Sequence, residues 1–384
     1  MRRNDGRPIV VLAIVIVVVI VLLWLLARGG ALPSPRSDAP VSPSPVAATW
    51  YDIYFTAPVF PDRPETRRGG IDERFVQFVD GATHTLDVAV YDFDLDNVAR
   101  AFARAQARGV SVRMVTDSDT VNNRRDEAIQ HALQVVRAGG IPIVPDERSA
   151  IMHHKFAVRD AREVWTGSWN MTTGDTYRLN NNAVWMRSPE LARVFSTEFD
   201  AMFVDRQFGG GRVKRPPVEP VVIEGARVQP MFAPENTVAD RVAARIREAT
   251  TTIHFLAFSF THDGIGQAVL ERRRGGVGVS GVFERTGSET RFSEFGVMKQ
   301  AGLDVYQDGN PYVMHHKLFV LDGRTTLFGS FNFSDSADRD NDENCLIVDD
   351  PQFASRFEDE FQRIRATARA QPPRPATPGR EFPR

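Results

Sequence analysis

The chain has 384 residues, with 47 Lys and Arg against 49 Asp and Glu, a formal net charge of −2. That balance excludes the broad basic surface behind sequence-independent nucleic-acid binding, although a local basic cleft remains open. With 42% hydrophobic and 25% charged residues the composition is globular, and the one cysteine, Cys345, excludes an intrachain disulfide and a thiolate metal site.

Residues 1–8 hold Arg2, Arg3 and Arg7 and are expected to be a short cytoplasmic N-terminus. Ile9 to Ala27 is an uninterrupted apolar run of 19 residues, close to the ~20 needed to cross a ~30 Å hydrocarbon core. The excess of positive charge before it predicts a single-pass anchor with the body outside the cytoplasm. A cleaved signal peptide is the rival reading, set against the length of the run and the lack of a clear small-residue cleavage site. Residues 28–48, rich in Pro, Ser and Ala, read as an extended spacer.

Two similar halves follow, 49–208 and 221–366, separated by a Gly/Pro-rich linker at 209–220. In the first half Ile71, Phe75, Phe78 and Val79 fall on one helical face, and Val238, Val242 and Ile246 repeat that spacing in the second. TLDVAVYDF (Thr85–Phe93) and TIHFLAFSF (Thr252–Phe260) read as buried strands, followed by helices carrying Val98 and Phe102, or Ile265 and Val269, and then by the strands GVSVRMVTD and GVGVSGVFE. The register between halves is 167 residues up to Asp117 and 162 from Gly140 onward, which places five extra residues of the first half in the loop around Ser118–Glu127. Strand, helix and strand in alternation predict an α/β body with largely buried mixed sheets flanked by helices. The last stretch, 367–384, reads as a disordered, slightly basic tail.

Each half closes on the same string, MHHKFAVRDAREVWTGSWN from Met152 and MHHKLFVLDGRTTLFGSFN from Met314. The candidate catalytic set is His153, Lys155 and Asp160 with His315, Lys317 and Asp322; Ser168, Asn170, Ser330 and Asn332 follow in Gly-Ser-aromatic-Asn turns. Alternation along a strand sends His153 and Lys155 to one face and His154 to the other, so the paired histidines are not expected to share a metal ion. A phosphodiester needs a nucleophile, an acid for the leaving oxygen, and donors around the phosphoryl oxygens. One imidazole can attack phosphorus while the other protonates the alcohol and then activates water. Two lysines neutralise the oxygens, and the serines and asparagines complete the cradle. Asp160 and Asp322 are expected to orient backbone or neighbouring groups, and no metal or other cofactor is called for.

The doubled HxKxxxxD…GSxN pattern resembles the phospholipase D superfamily from about Trp50 to Ala366. The resemblance implies a pseudo-twofold bilobal fold with the motifs facing each other at the lobe interface, a monomer because both motifs lie in one chain, and a phosphohistidine intermediate. It makes His153 the nucleophile and His315 the acid and base. It also implies an acidic residue downstream that holds the catalytic histidine: the second half supplies Glu343, whereas the aligned first-half position is Asn181, read here as an orienter of His153 by its amide. The leading expectation is phospholipid headgroup hydrolysis. A membrane-tethered nuclease, a phosphatidyl transferase resembling cardiolipin synthases, and a degenerate scaffold that binds phosphorylated ligands are the alternatives. Partners are therefore a phospholipid or nucleic-acid phosphodiester, and the membrane through the N-terminal helix.

Overall fold

Period-two alternation decides which layer each strand side chain joins. Along Thr85–Val90, Leu86, Val88 and Val90 enter one apolar cluster while Ala89 enters another, and along Thr252–Ala257 Ile253 and Phe255 part from Leu256 in the same way. Both faces of these strands are thus covered, as their nearly continuous apolar sequences require. The computed structural model describes residues 50–211 and 218–370.

The first lobe contributes β1 (Tyr51–Phe55), β2 (Thr85–Val90), β3 (Ser111–Thr116), β4 (Ile143–Pro145), β5 (Lys155–Arg159), β6 (Glu163–Gly167), β7 (Leu179–Asn180) and β8 (Asn182–Arg187). The second contributes β9 (Val221–Ile223), β10 (Ala226–Ala233), β11 (Thr252–Ala257), β12 (Gly278–Phe283), β13 (Asp304–Gln307), β14 (Val313–Met314), β15 (Lys317–Leu321), β16 (Thr325–Gly329) and β17 (Glu343–Asp349). One sheet runs β1-β8-β6-β5-β2-β3-β4, and the other runs β9-β10-β17-β16-β15-β11-β12-β13. Apart from β9, an extra edge strand of the second sheet, the orders correspond, with parallel pairs on one side of β2 and β11 and antiparallel pairs on the other. The expected mixed sheets are present. A small parallel pair, β7 with β14, joins the lobes.

Helices Ile71–Asp80, Asp96–Ala107 and Glu127–Ala138 cover one side of the first sheet through Phe75, Phe78, Phe102 and Leu133. Val242, Ile246, Ile265, Val269 and Met298 do the same for the second. The remaining face of each sheet meets helix Pro189–Phe203 or helix Pro351–Ala370, and one shared cluster takes in Phe156, Phe195 and Phe199 along with Leu318, Phe353 and Phe357. The two lobes therefore share a core, and burial of this apolar area holds them together.

The extra residues of the first half do not lie where the register suggested. Helix Glu127–Ala138 and helix Glu294–Gln300 start in the same register behind the caps Asp126 and Ser293, but have 12 and 7 residues. The insertion lengthens a helix by about 1.4 turns and leaves the preceding loop alone. Helix Pro351–Ala370 also runs four residues beyond the expected boundary at 366, because Phe361, Ile364 and Ala368 continue its buried stripe. The predicted anchor at 9–27, the spacer at 28–48 and the tail beyond Ala370 lie outside the described residues. Among the described residues no helix is long and apolar enough to cross a membrane.

Candidate active site

The two motif histidines stand two residues ahead of the strands that were expected to carry them. Regular pairing of β5 and β15 begins at Lys155 and Lys317, while the extended segments just before them bond to the opposite lobe. His153 N donates to Asp342 O at 2.9 Å, and His315 N donates to Asn180 O at 3.0 Å. Three consecutive residues ahead of or opening β8 and β17 thus reach across the lobe interface in order. Asn180 and Asp342 hold the backbone of the other lobe's histidine, Asn181 and Glu343 meet its ring, and Asn182 and Asn344 meet the ring of the next histidine along.

The ring contacts overturn the within-half pairing. His153 Nδ1 lies 2.8 Å from both carboxylate oxygens of Glu343, in the other lobe. Asn181 does not orient His153: its Oδ1 lies 2.9 Å from His315 Nδ1. Pairing across a pseudo-twofold axis exchanges partners that a sequence repeat assigns to the same copy. Ser330 Oγ donates to Glu343 at 2.6 Å and Ser168 Oγ donates to Asn181 Oδ1 at 2.8 Å, so the serines stand behind the histidine partners. The buried amide oxygens of Asn170 and Asn332 have no partner among the described residues.

His154 and His316 turn the other way, as alternation requires. His154 Nε2 lies 3.1 Å from Glu198 and His316 Nε2 lies 2.9 Å from Glu360, both on the central helices, and all four side chains are buried. These pairs belong to the core. Trp169 and Phe331 likewise pack inward, and His262 caps helix Asp263–Arg274 by accepting from Ile265 N.

The histidines and lysines form one electrostatic unit. Burial, followed by the charges of Lys155 and Lys317, holds the His153 imidazole well below its ordinary value. Burial and Lys317 push His315 down to about 4 against the opposing pull of Asp175. Burial lowers Lys155 to about 8, with Glu343 and Asp175 working the other way, and holds Lys317 well below its ordinary value, with Lys155 adding to the effect. Burial also lifts Glu343 to about 8. Burial thus works against charge on both members of the facing Glu343–His153 pair. Each ammonium donates to the carbonyl of its own histidine, Lys155 to His153 O at 2.8 Å and Lys317 to His315 O at 2.7 Å.

Aromatic walls complete the cluster. Tyr91 packs edge-on against His153 and under the Lys155 ammonium, and Phe258 does the same for His315 and Lys317. Both occupy the same register position after β2 and β11, inside strings whose aromatic content reads equally well as strand core. Asp92, just beyond Tyr91, is raised to about 6 by burial and by Asp175. A separate cleft of about 500 Å³ at Arg227, Arg245 and Arg324 shares none of these residues.

Asp160 and Asp322 lie five residues beyond their lysines, roughly 16 Å along an extended strand, and outside the cluster. Both have positive φ. Asp160 accepts from the backbone N–H groups of Thr83, His84 and Thr85, and Asp322 accepts from those of Thr250, Thr251 and Thr252. Each strap fixes the start of the strand beside β5 or β15. Burial would raise the Asp322 carboxyl, but the three N–H groups outweigh it and hold it below its usual value. A depressed carboxyl contributes stability above its unfolded value near 3.9 and loses it as pH falls through the folded value. Asp322→Ala is expected to cost about 1–2 kcal/mol at pH 7, and the gap to wild type should narrow in thermal melts below about pH 4. A gap that is independent of pH would show that the charge is not what the strap uses.

A family model described as "Cardiolipin synthase, PLD-like domain" matches residues 75–203 and again 242–365. The chain is 34% identical over 128 residues to a mitochondrial cardiolipin hydrolase of Chlamydomonas reinhardtii, which is 33% of this chain and 57% of that protein. It is 28% identical over 132 residues to a phospholipase D of Rickettsia conorii, which is 34% of this chain and 66% of that protein. The chain thus spans between about half and two thirds of these curated relatives. The crystal structure of the phosphatidylserine synthase of Haemophilus influenzae superposes with a TM-score of 0.60 at 14% identity, covering 82% of this chain and 86% of that one, a likeness of fold.

Proposed function

The chain belongs to the phospholipase D superfamily, and from that premise we propose that it is a metal-independent phosphodiesterase that hydrolyses phospholipid headgroups through a phosphohistidine on His153. The observation that carries this reading is the crossed hold on the two imidazoles, His153 by Glu343 and His315 by Asn181. Each ring has Nδ1 committed to a partner in the other lobe, which leaves Nε2 as the reactive atom.

His153, kept neutral by burial, attacks phosphorus with Nε2 while the P–O bond to the headgroup breaks. The departing alkoxide takes a proton from His315. Water then gives a proton to His315 as it attacks the phosphohistidine, and the P–N bond breaks, returning both rings to their starting states. Lys155 and Lys317 balance the phosphoryl charge, which does not disappear in the transition state. The unspent amide oxygens of Asn170 and Asn332 can accept from a hydroxyl or water, not donate to the phosphoryl oxygens. His315 must carry a proton to act as the acid, and an arriving phosphodiester supplies the reason: its negative charge offsets the two ammonium groups that otherwise push the imidazolium down. Those same ammonium groups oppose a divalent cation in the site.

Lipid is favoured over nucleic acid because the carboxylates of Asp92 and Asp117 act on Lys155 in the first lobe's half of the cluster, a setting that suits one phosphate better than a polyanion. The names of the relatives, cardiolipin hydrolase and phospholipase D, support the same class. An anchor at Ile9–Ala27 would keep the body beside a bilayer on its extracytoplasmic side.

The test is the full chain in detergent with EDTA, offered cardiolipin, phosphatidylglycerol, phosphatidylcholine, single-stranded DNA and a chromogenic bis-ester. Release of phosphatidic acid or headgroup is expected. Shortened DNA with intact lipid would replace the reading with the nuclease, new diesters formed with added glycerol would replace it with the transferase, and activity that returns only with added Mg²⁺ would remove the metal-independent mechanism.

A further inference from the structure

The two half-sites are not equivalent, and the difference lies in their carboxylates. Where the second lobe places Glu343 against His153, the first lobe places the neutral Asn181 against His315. Six residues earlier, however, the first lobe has Asp175, at a register position occupied by Ala337 in the second. Asp175 Oδ1 lies 3.3 Å from His315 Nδ1, and its side chain is 9% exposed. It also receives Asn170 N and Asn181 Nδ2, both at 3.1 Å, while its Oδ2 receives Thr172 Oγ1 at 3.0 Å.

We infer that Asp175 is the positioning carboxylate of His315, supplying from a displaced place in the fold the negative charge that Glu343 supplies to His153. A buried carboxylate is costly unless it is paired, and here the pairing is with the ring whose cation the reaction needs. The amide of Asn181 fixes the direction of the Nδ1–H group, and Asp175 offsets the charge that builds when Nε2 is protonated. The surrounding charges fit this division. Burial would raise the Asp175 carboxyl, but His315, the Asn170 N–H and Lys155 together hold it below its usual value. Lys317 and Lys155 push His315 toward the neutral form, and Asp175 acts against both.

The inference rests on the acid role of His315 proposed above, so its test uses leaving-group dependence. Full-chain Asp175→Asn is expected to lose about tenfold to a hundredfold in kcat on a phospholipid, whose alcohol leaves poorly. It should lose less than about threefold on a bis-ester with an acidic phenol, which needs no proton. Asp175→Asn/Asn181→Glu, which copies the second lobe's arrangement, should recover most of the loss. Should the asparagine variant fail to fold, Asp175→Glu keeps the charge and is expected to show the wild-type leaving-group dependence. Equal loss on both substrates, no recovery in a folded double variant, or an Asp175→Glu protein that behaves like His315→Ala would each overturn the inference. A full-rate Asp175→Asn beside an inactive His315→Ala overturns this inference alone, whereas a full-rate His315→Ala overturns the acid role as well.

Discussion

His153→Ala is expected to lose at least about a thousandfold in turnover on every diester, whatever its leaving group, because no other group in the cleft can take over covalent attack. His315→Ala is expected to lose about 10²–10⁴-fold on a phospholipid but far less on a phenolic bis-ester, since general-acid help matters only where the departing oxygen is basic. The contrast between substrates separates the roles better than either loss alone. It also offers a chemical check: with the phenolic ester, His315→Ala should accumulate a phosphorylated protein that is labile to acid, because the variant lacks the base that activates water. Both variants remove a ring that is almost wholly buried at the lobe interface, so melting curves must accompany the rates. Full activity of either folded variant on the lipid would end the two-histidine scheme, and a mirror-image pattern, with His153→Ala sparing the phenolic ester, would exchange the roles.

How much of this was legible in the sequence depends on whether the information was local. Strand faces were readable because alternation is a property of consecutive residues: His154 and His316 turn away from His153 and His315 to meet Glu198 and Glu360. The repeat itself was readable, and so were the mixed sheets. Partnerships across the axis were not. Register aligns Asn181 with Glu343 but says nothing of which histidine each will meet, since the two copies are related by a rotation that no spacing records. Asp175 was hidden for a second reason: its counterpart is Ala337, so comparing the halves marks it as a difference rather than as part of a motif. The signal that was available lay in chemistry, a carboxylate absent where the pattern needs one with another acid one short helix away. The helical insertion was misplaced because a change of register bounds a gap without locating it, and only the paired caps Asp126 and Ser293 fix the place.

The crossed geometry makes its own demand on Glu343. If each lobe served its own histidine, Glu343 would support His315, and Glu343→Gln would behave like a weakened acid, sparing substrates with good leaving groups. In the structure Glu343 holds His153, accepts from Ser330, and has no exposed side-chain surface. Glu343→Gln is therefore expected to copy the nucleophile variant. Its loss should be roughly 10²–10⁴-fold, the range spanned when a carboxylate behind a catalytic or ligating imidazole is made neutral, and should be the same for phospholipid and phenolic ester. The reason is charge rather than shape. Attack by Nε2 leaves a positive ring, which a carboxylate accepting from Nδ1–H stabilises; a glutamine keeps the bond but cannot supply the charge, with Lys155 and Lys317 left uncompensated nearby. A conservative Glu343→Asp, one methylene short, should fall between the two. A Glu343→Gln enzyme that still cleaves the phenolic ester at close to the wild-type rate would mean that the carboxylate serves the acid, and the assignment of partners across the lobe interface would fail with it.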